Sequence, residues 1–143
     1  WRPDEPFDAA LLDAPCSSTG VLRRHPEAAW LRSPAHVKSY AETQAALLKA
    51  APDIVKIGGT LVYSVCSLEP EEGEDQIAAF RARAPEAQEI TLTPGPYGLP
   101  SAASAGAALR LTPEFLEAQG GLDGFFVAAF RRPGAMDAPF SGG

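Results

Sequence analysis

Two cysteines are the residues best equipped for covalent chemistry in this 143-residue chain, and serine follows each of them. Cys16 stands in Asp13-Ala14-Pro15-Cys16-Ser17-Ser18-Thr19-Gly20, and Cys66 stands in Tyr63-Ser64-Val65-Cys66-Ser67. A thiolate adds to electrophilic carbon, and a second thiol beside it can give a proton, take one, or cross-link. An unperturbed thiol with a pKa near ~8.5 is only ~3% ionised at pH 7, so a nucleophilic cysteine needs a neighbour that stabilises its charge. Either cysteine alone reads as a small buried hydrophobe at a strand end. The same Cys-Ser step at two equivalent places points to a shared site. A helix opening at Pro70 favours a Cys66 thiolate if its amides face the sulfur, whereas Glu69, Glu71 and Glu72 oppose it. Asp13 closes an apolar run, either as a cap or as a carboxyl group able to hydrogen-bond or protonate a substrate.

These groups must be carried by regular elements. Residues 7–12 are apolar and read as a buried parallel strand. Residues 60–65 are β-branched and apolar, a second strand. Both cysteines then lie beyond the carboxyl ends of strands, where open α/β sheets bind their ligands. Between them, Ser33 is a good N-cap with Pro34 in the first helical position. Val37, Tyr40, Ala41, Gln44, Leu47, Leu48 and Ala51 follow at helical spacing. Pro52 ends or kinks that helix, and a further turn takes Ile54 and Val55 towards a break at Gly58-Gly59. Pro70 opens a second helix with Glu71, Glu72, Glu74 and Asp75 in its first turns and Ile77, Phe80 and Ala84 on its buried face. A weak strand over 89–92 precedes a mobile loop over 93–106, rich in Pro, Gly, Ser and Ala. A short strand over 109–111, a turn at Asp123-Gly124 and a last strand over 125–130 complete the order. It predicts an α/β layered fold.

Composition narrows the partners. The chain is 45% hydrophobic and 21% charged, which is globular, and its length suits one domain. A net charge of -6 argues against a broad electrostatic footprint on nucleic acid. One basic cluster stands apart: Arg23, Arg24 and His25, with Arg32 nearby, whose plainer reading is a solvated loop. The sequence shows no signal peptide and no apolar run near the ~18 residues of a membrane span, so a cytoplasmic location with reduced thiols is expected. The first residue is Trp1 and a core strand begins almost at once, which reads as part of a longer protein. Six residues separate Cys16 from Arg23, where the phosphate loop of cysteine phosphatases has five, so that chemistry is disfavoured.

Taken together, Asp13-Ala14-Pro15-Cys16-Ser17, Tyr63-Ser64-Val65-Cys66-Ser67 with Pro70-Glu71-Glu72, and Asp123-Gly124-Phe125-Phe126 resemble the NOL1/NOP2/Sun family of RNA (cytosine-5)-methyltransferases. The stretch from Arg23-Arg24-His25-Pro26 through Trp30-Leu31-Arg32 is similar to its ribosomal branch, the small-subunit rRNA enzymes called Fmu or Sun. The resemblance implies a Rossmann-like α/β fold using S-adenosylmethionine, with a mostly parallel sheet and a late antiparallel strand. Residues 1–132 would be the C-terminal half of the catalytic domain, without most of the cofactor-binding half, and 133–143 a flexible tail. It implies Cys66 as nucleophile, Cys16 as the residue assisting product release, and Asp13 holding or protonating the base. Pro15, Ser17, Arg23, Arg24 and His25 would contact RNA, Asp13 and Pro15 would border the cofactor, and no metal is implied. Val65 stands where the family has Thr, and Pro15-Cys16 matches the Pro-Cys nucleophile of DNA cytosine methyltransferases, so the two roles stay open to exchange. A tRNA substrate is the nearest alternative. A redox or binding module with a Cys16–Cys66 disulfide is the other, and thiol titration separates it. Half a doubly wound sheet also leaves residues 7–12 as an apolar edge through which the chain would self-associate.

Overall fold

The computed structural model describes residues 3–134. Strand β1 (Phe7–Asp13) lies parallel to β2 (Val55–Val65), pairing Ala9 with Thr60 and Asp13 with Ser64. Parallel neighbours need a crossover, and helix α2 (Pro34–Ala50) supplies it, after the short helix α1 (Ala28–Leu31). Pro34 fixes the first turn of α2 while the Ser33 amide donates to His36 Nδ1 at 3.2 Å. Pro52 then diverts the chain into a single 3-10 turn, Ala51–Ile54, that feeds β2.

Helix α3 (Glu74–Arg83) is followed by β3 (Gln88–Ile90), β4 (Ser104–Ala105), β5 (Ala108–Leu111) and β6 (Phe125–Arg131). The sheet order is β1-β2-β6-β5-β4, and β3 shares one edge of β6 with β5. The α/β expectation holds. Parallel pairing belongs to β1 and β2, while β6 pairs antiparallel with β2, β3 and β5, and β4 with β5. Antiparallel pairing therefore reaches well beyond one late strand.

The core sits on one face of β2. Leu61, Tyr63 and Val65 alternate inward and meet Leu48 of α2, Ile77 and Phe80 of α3, and Phe126 and Phe130 of β6. The Phe80 and Phe130 rings lie 4.8 Å apart at 60°. Each such side chain contributes roughly 1.5–3 kcal/mol by leaving water, so β2 and β6 form a stiff platform under the strand ends.

Four sequence expectations are corrected. The strand over residues 7–12, read as buried, is largely exposed, with Leu11 69% open to solvent, at the sheet edge that the half-sheet reading expected. Gly58-Gly59 is not a break: Gly58, at φ 78°, forms a bulge that shifts the β1–β2 register between Phe7 and Ala9 and lets β2 begin at Val55. Helix α3 starts at Glu74, since Pro70–Glu72 forms a separate 3-10 turn that directs Glu72 inward. The segment 93–106 holds two 3-10 turns and β4, with Ala103 fully buried. The tail expected over 133–143 lies, from residue 135, outside the described residues. No helix among the described residues is long and apolar enough to cross a membrane.

Candidate active site

The parallel register of β1 and β2 brings the two Cys-Ser steps side by side. The Ala14 amide extends the ladder by donating to Ser64 O at 3.0 Å, and the Gly20 amide donates to Cys66 O at 3.0 Å. Between these two links Cys16 Sγ and Cys66 Sγ stand 3.3 Å apart, both free thiols. That is hydrogen-bond distance for sulfur and well beyond the ~2.05 Å of a disulfide.

The two sulfurs differ in surroundings. Cys16 is buried and Cys66 partly exposed. The hydrogen bond from Cys16 brings the Cys66 thiol down to about 6, helped by the Ser18 hydroxyl and opposed by burial and by the charge of Asp13. Cys16 is driven upward by the same bond, by burial and by the negative charge of Cys66. Cys66 is therefore the thiolate and Cys16 its donor. The helix-end effect weighed from sequence is not the largest cause, because α3 begins eight positions beyond Cys66 rather than at Pro70.

Beneath the sulfurs lies a residue that the sequence reading passed over as a site. Glu72 is fully buried, and its carboxylate accepts from the Ser17 amide at 2.9 Å, Gln44 Nε2 at 3.0 Å, Ser67 Oγ at 2.5 Å, and the Ser17 hydroxyl. Around this centre, Gln44 also donates to Pro15 O at 2.9 Å and Arg32 Nε to Ser17 O at 3.0 Å. Tyr63 OH donates to Glu72 O at 2.6 Å, and Arg110 Nη1 to Ser67 O at 2.5 Å. One sequence signal was available: Gln44 is a polar residue on an otherwise apolar helical stripe.

The expected site residues separate into three groups. Cys16, Cys66 and Asp13 meet at the ends of β1 and β2, with Asp13 and Pro15 exposed beside the thiols. Ser17 lies under the site, fully buried with its hydroxyl and amide committed to Glu72, and so is placed away from any surface an RNA could touch. Arg23, Arg24 and His25 are drawn elsewhere: Arg23 donates to Gly120 O at 2.9 Å, Arg24 pairs with Asp123 at 2.7 Å, and His25 meets Glu27 at 3.1 Å. Close packing of Gly20 against Gly124 fastens this loop, with the Gly124 amide donating to Gly20 O at 2.7 Å.

For S-adenosylmethionine these residues would offer one wall. Asp13 and Pro15 sit at the carboxyl end of an edge strand, the proper place for such a ligand. Among the described residues no glycine-rich turn joins a strand to a helix. The fit is that of a border, not a cradle. Among the described residues no cluster of three or more His, Cys, Asp or Glu could hold a metal ion.

Solved methyltransferases share this fold. A methyltransferase homologue from Pyrococcus horikoshii superposes with a TM-score of 0.65 at 30% identity, covering 90% of this chain and 40% of that one. NSun6 from Pyrococcus horikoshii, solved with SFG, gives a TM-score of 0.62 at 29% identity over 85% of this chain and 29% of its own. The fold is that of a methyltransferase domain.

The model of the 16S rRNA methyltransferase RsmB/F family matches residues 1–131, and the chain belongs to that family. Ribosomal RNA small subunit methyltransferase B from Yersinia pseudotuberculosis is 48% identical over 104 residues, which is 70% of this chain and 24% of that protein. The chain thus spans about a quarter of the length of the curated relatives it matches.

Proposed function

We propose that the protein carrying this sequence methylates carbon 5 of a cytosine in small-subunit rRNA, with S-adenosylmethionine as methyl donor. The family and the ribosomal relatives support the RNA class, and they favour rRNA over tRNA. The single observation behind the chemistry is the thiol pair at 3.3 Å, with Cys66 lowered to about 6.

Cytosine carbon 5 is a weak nucleophile. The Cys66 thiolate adds to carbon 6, a bond from sulfur to carbon forms, and the ring's π electrons move towards carbon 5. Asp13, exposed at the end of β1, hydrogen-bonds or protonates the ring at nitrogen, which makes carbon 6 more electrophilic. When bound, S-adenosylmethionine supplies an electrophilic methyl group for carbon 5. Loss of the carbon-5 proton to solvent water then returns the electrons and expels the Cys66 thiolate. Cys16, the protonated partner, gives its hydrogen bond to the departing sulfur and so assists release. Pro15 holds the loop against the base, while Arg23, Arg24 and His25 lie on an outer surface that an RNA backbone could reach.

The test uses the Cys16→Ala variant with unmodified rRNA and S-adenosylmethionine. A protein–RNA adduct that survives a denaturing gel, and vanishes when Cys66 is also replaced, is the expected result. Methylation without any adduct removes the release role from Cys16. Neither adduct nor methylation on any RNA removes the proposed function. Residues 1–132 correspond in this reading to the C-terminal half of the catalytic domain, so the 143 residues alone are expected to be inactive. Methyl transfer by them would overturn that expectation.

A further inference from the structure

A pair of thiols at hydrogen-bond distance requires more than two strand ends. The main chain links the Cys16 and Cys66 segments at Ala14–Ser64 and Gly20–Cys66, on either side of the sulfurs. Directly below the sulfurs the link is made of side chains. The residue after Cys16 and the residue after Cys66 both grip Glu72, and their hydroxyls also meet each other at 3.1 Å. The doubled Cys-Ser step thereby acquires a physical meaning: the cysteines face each other, and the serines face a common carboxylate.

The geometry is saturated. One oxygen of Glu72 receives the Ser17 amide and Gln44 Nε2, and the other receives the hydroxyls of Ser17 and Ser67. All four residues are fully buried, so each donor lost would leave an unsatisfied group away from water. Gln44 then donates on to Pro15 O, while the Glu72 carbonyl is held by Tyr63 OH. The network reaches from α2 through β2 to the residue before Cys16. Networks of this kind specify one arrangement of their members.

We infer that Glu72 is a positioning residue, tying Ser17 to Ser67 and so setting the separation and orientation of Cys16 and Cys66. This rests on the reactive role proposed for Cys66, and it makes Glu72 act through the thiol pair without touching substrate. A residue that only supports the fold would alter stability and leave the thiol chemistry unchanged.

The test reads that chemistry directly. The protein is treated with iodoacetamide across pH 5 to 9, and Cys66 alkylation is followed by peptide mass spectrometry, with neither RNA nor S-adenosylmethionine present. In the unaltered protein the midpoint is expected at about 6. Loss of the Glu72 negative charge alone would lower the midpoint, so a rise reports the lost tie between the serines. Glu72→Ala is expected to raise the midpoint by about one unit or more, on the order of tenfold less thiolate below the midpoint. Glu72→Gln can still accept the Ser17 amide and Gln44 on its oxygen, and is expected to recover most of the shift. Ser67→Ala removes only the grip beside Cys66 and is expected to raise the midpoint by less, which keeps the test available if Glu72→Ala does not fold. A folded Ser67→Ala or Glu72→Ala protein with an unmoved midpoint overturns the inference, whatever a methylation assay returns. A raised midpoint supports it even where no RNA adduct forms, since that failure counts against the proposed function alone.

Discussion

Cys16 and Cys66 face each other at 3.3 Å from unequal environments, one buried and the other partly open to solvent. The asymmetry assigns their protons. Burial costs a thiolate more than a thiol, so the proton stays on Cys16 and the charge on Cys66. The two thiols are therefore distinguishable without substrate, and the proposed roles of nucleophile and helper follow that difference.

The first prediction concerns pH. Cys16 stabilises the charged form of Cys66, so its removal must raise the Cys66 pKa. A thiol at about 6 is largely ionised at neutral pH, whereas one near ~8.5 is only ~3% ionised at pH 7. Cys16→Ala is expected to slow Cys66 alkylation at neutral pH by about tenfold, an effect that fades towards about pH 9. Equal rates in both proteins would remove the hydrogen bond as the cause. Adduct trapping with Cys16→Ala accordingly works best on the alkaline side.

The second concerns Gly20. A Cβ there would lie 2.1 Å from Gly124 O, and backbone cannot yield as a side chain can. Gly20→Ala should cost about 1–3 kcal/mol, seen as a lower thermal midpoint. Gly95→Ala meets nothing within 4 Å and should stay within about 0.5 kcal/mol of the parent. Equal midpoints for the two variants would contradict the close approach.

Arg110 provides the third. It donates to Ser67 O at 2.5 Å, pairs with Glu74 and lies 4.9 Å from the centre of the Phe126 ring. Lysine cannot reproduce a planar fork that does all three. Arg110→Lys should lose about 1–2 kcal/mol in urea unfolding. Glu74→Gln should lose under about 1 kcal/mol, because that pair is open to water on the Glu74 side. The reverse ranking would show that the ion pair carries the stability.

The fourth addresses β1. Phe7 and Leu11 are 45% and 69% exposed on an edge strand. The 143-residue chain is expected to self-associate through this edge, and Leu11→Lys to suppress it. Light scattering decides: a monomeric parent chain, or undiminished association in the variant, contradicts the expectation.

What could be read in the sequence, and what could not, divides by range. The cysteine steps, α2 and its Ser33-Pro34 start, and strands β2 and β6 were legible because periodicity and caps are local. Glu72 was not. Five acidic residues crowd positions 69 to 75, and all suit the start of a helix. Which one turns inward depends on the 3-10 turn Pro70–Glu72 with nearby Ser67, and on Ser17 and Gln44, contributed from far along the chain. Ser17 was misplaced towards RNA for the same reason. Arg24 reads as a free cation until Asp123, far along the chain, arrives beside it. The bulge at Gly58 looked like an interruption because a glycine pair signals one whether or not a strand continues through it.

The site is also a late product of folding. Its two thiols are separated by 50 positions. Closing a loop of that length costs about 3.5 kcal/mol beyond a constant in chain entropy, which no local contact returns. The thiols meet only once α2 has crossed over and β1 has found β2, pairings that are slow because they are non-local. A reactive Cys66 is thus a natural reporter of completed folding. In a refolding experiment its rapid alkylation at neutral pH should appear with the last kinetic phase and never before it.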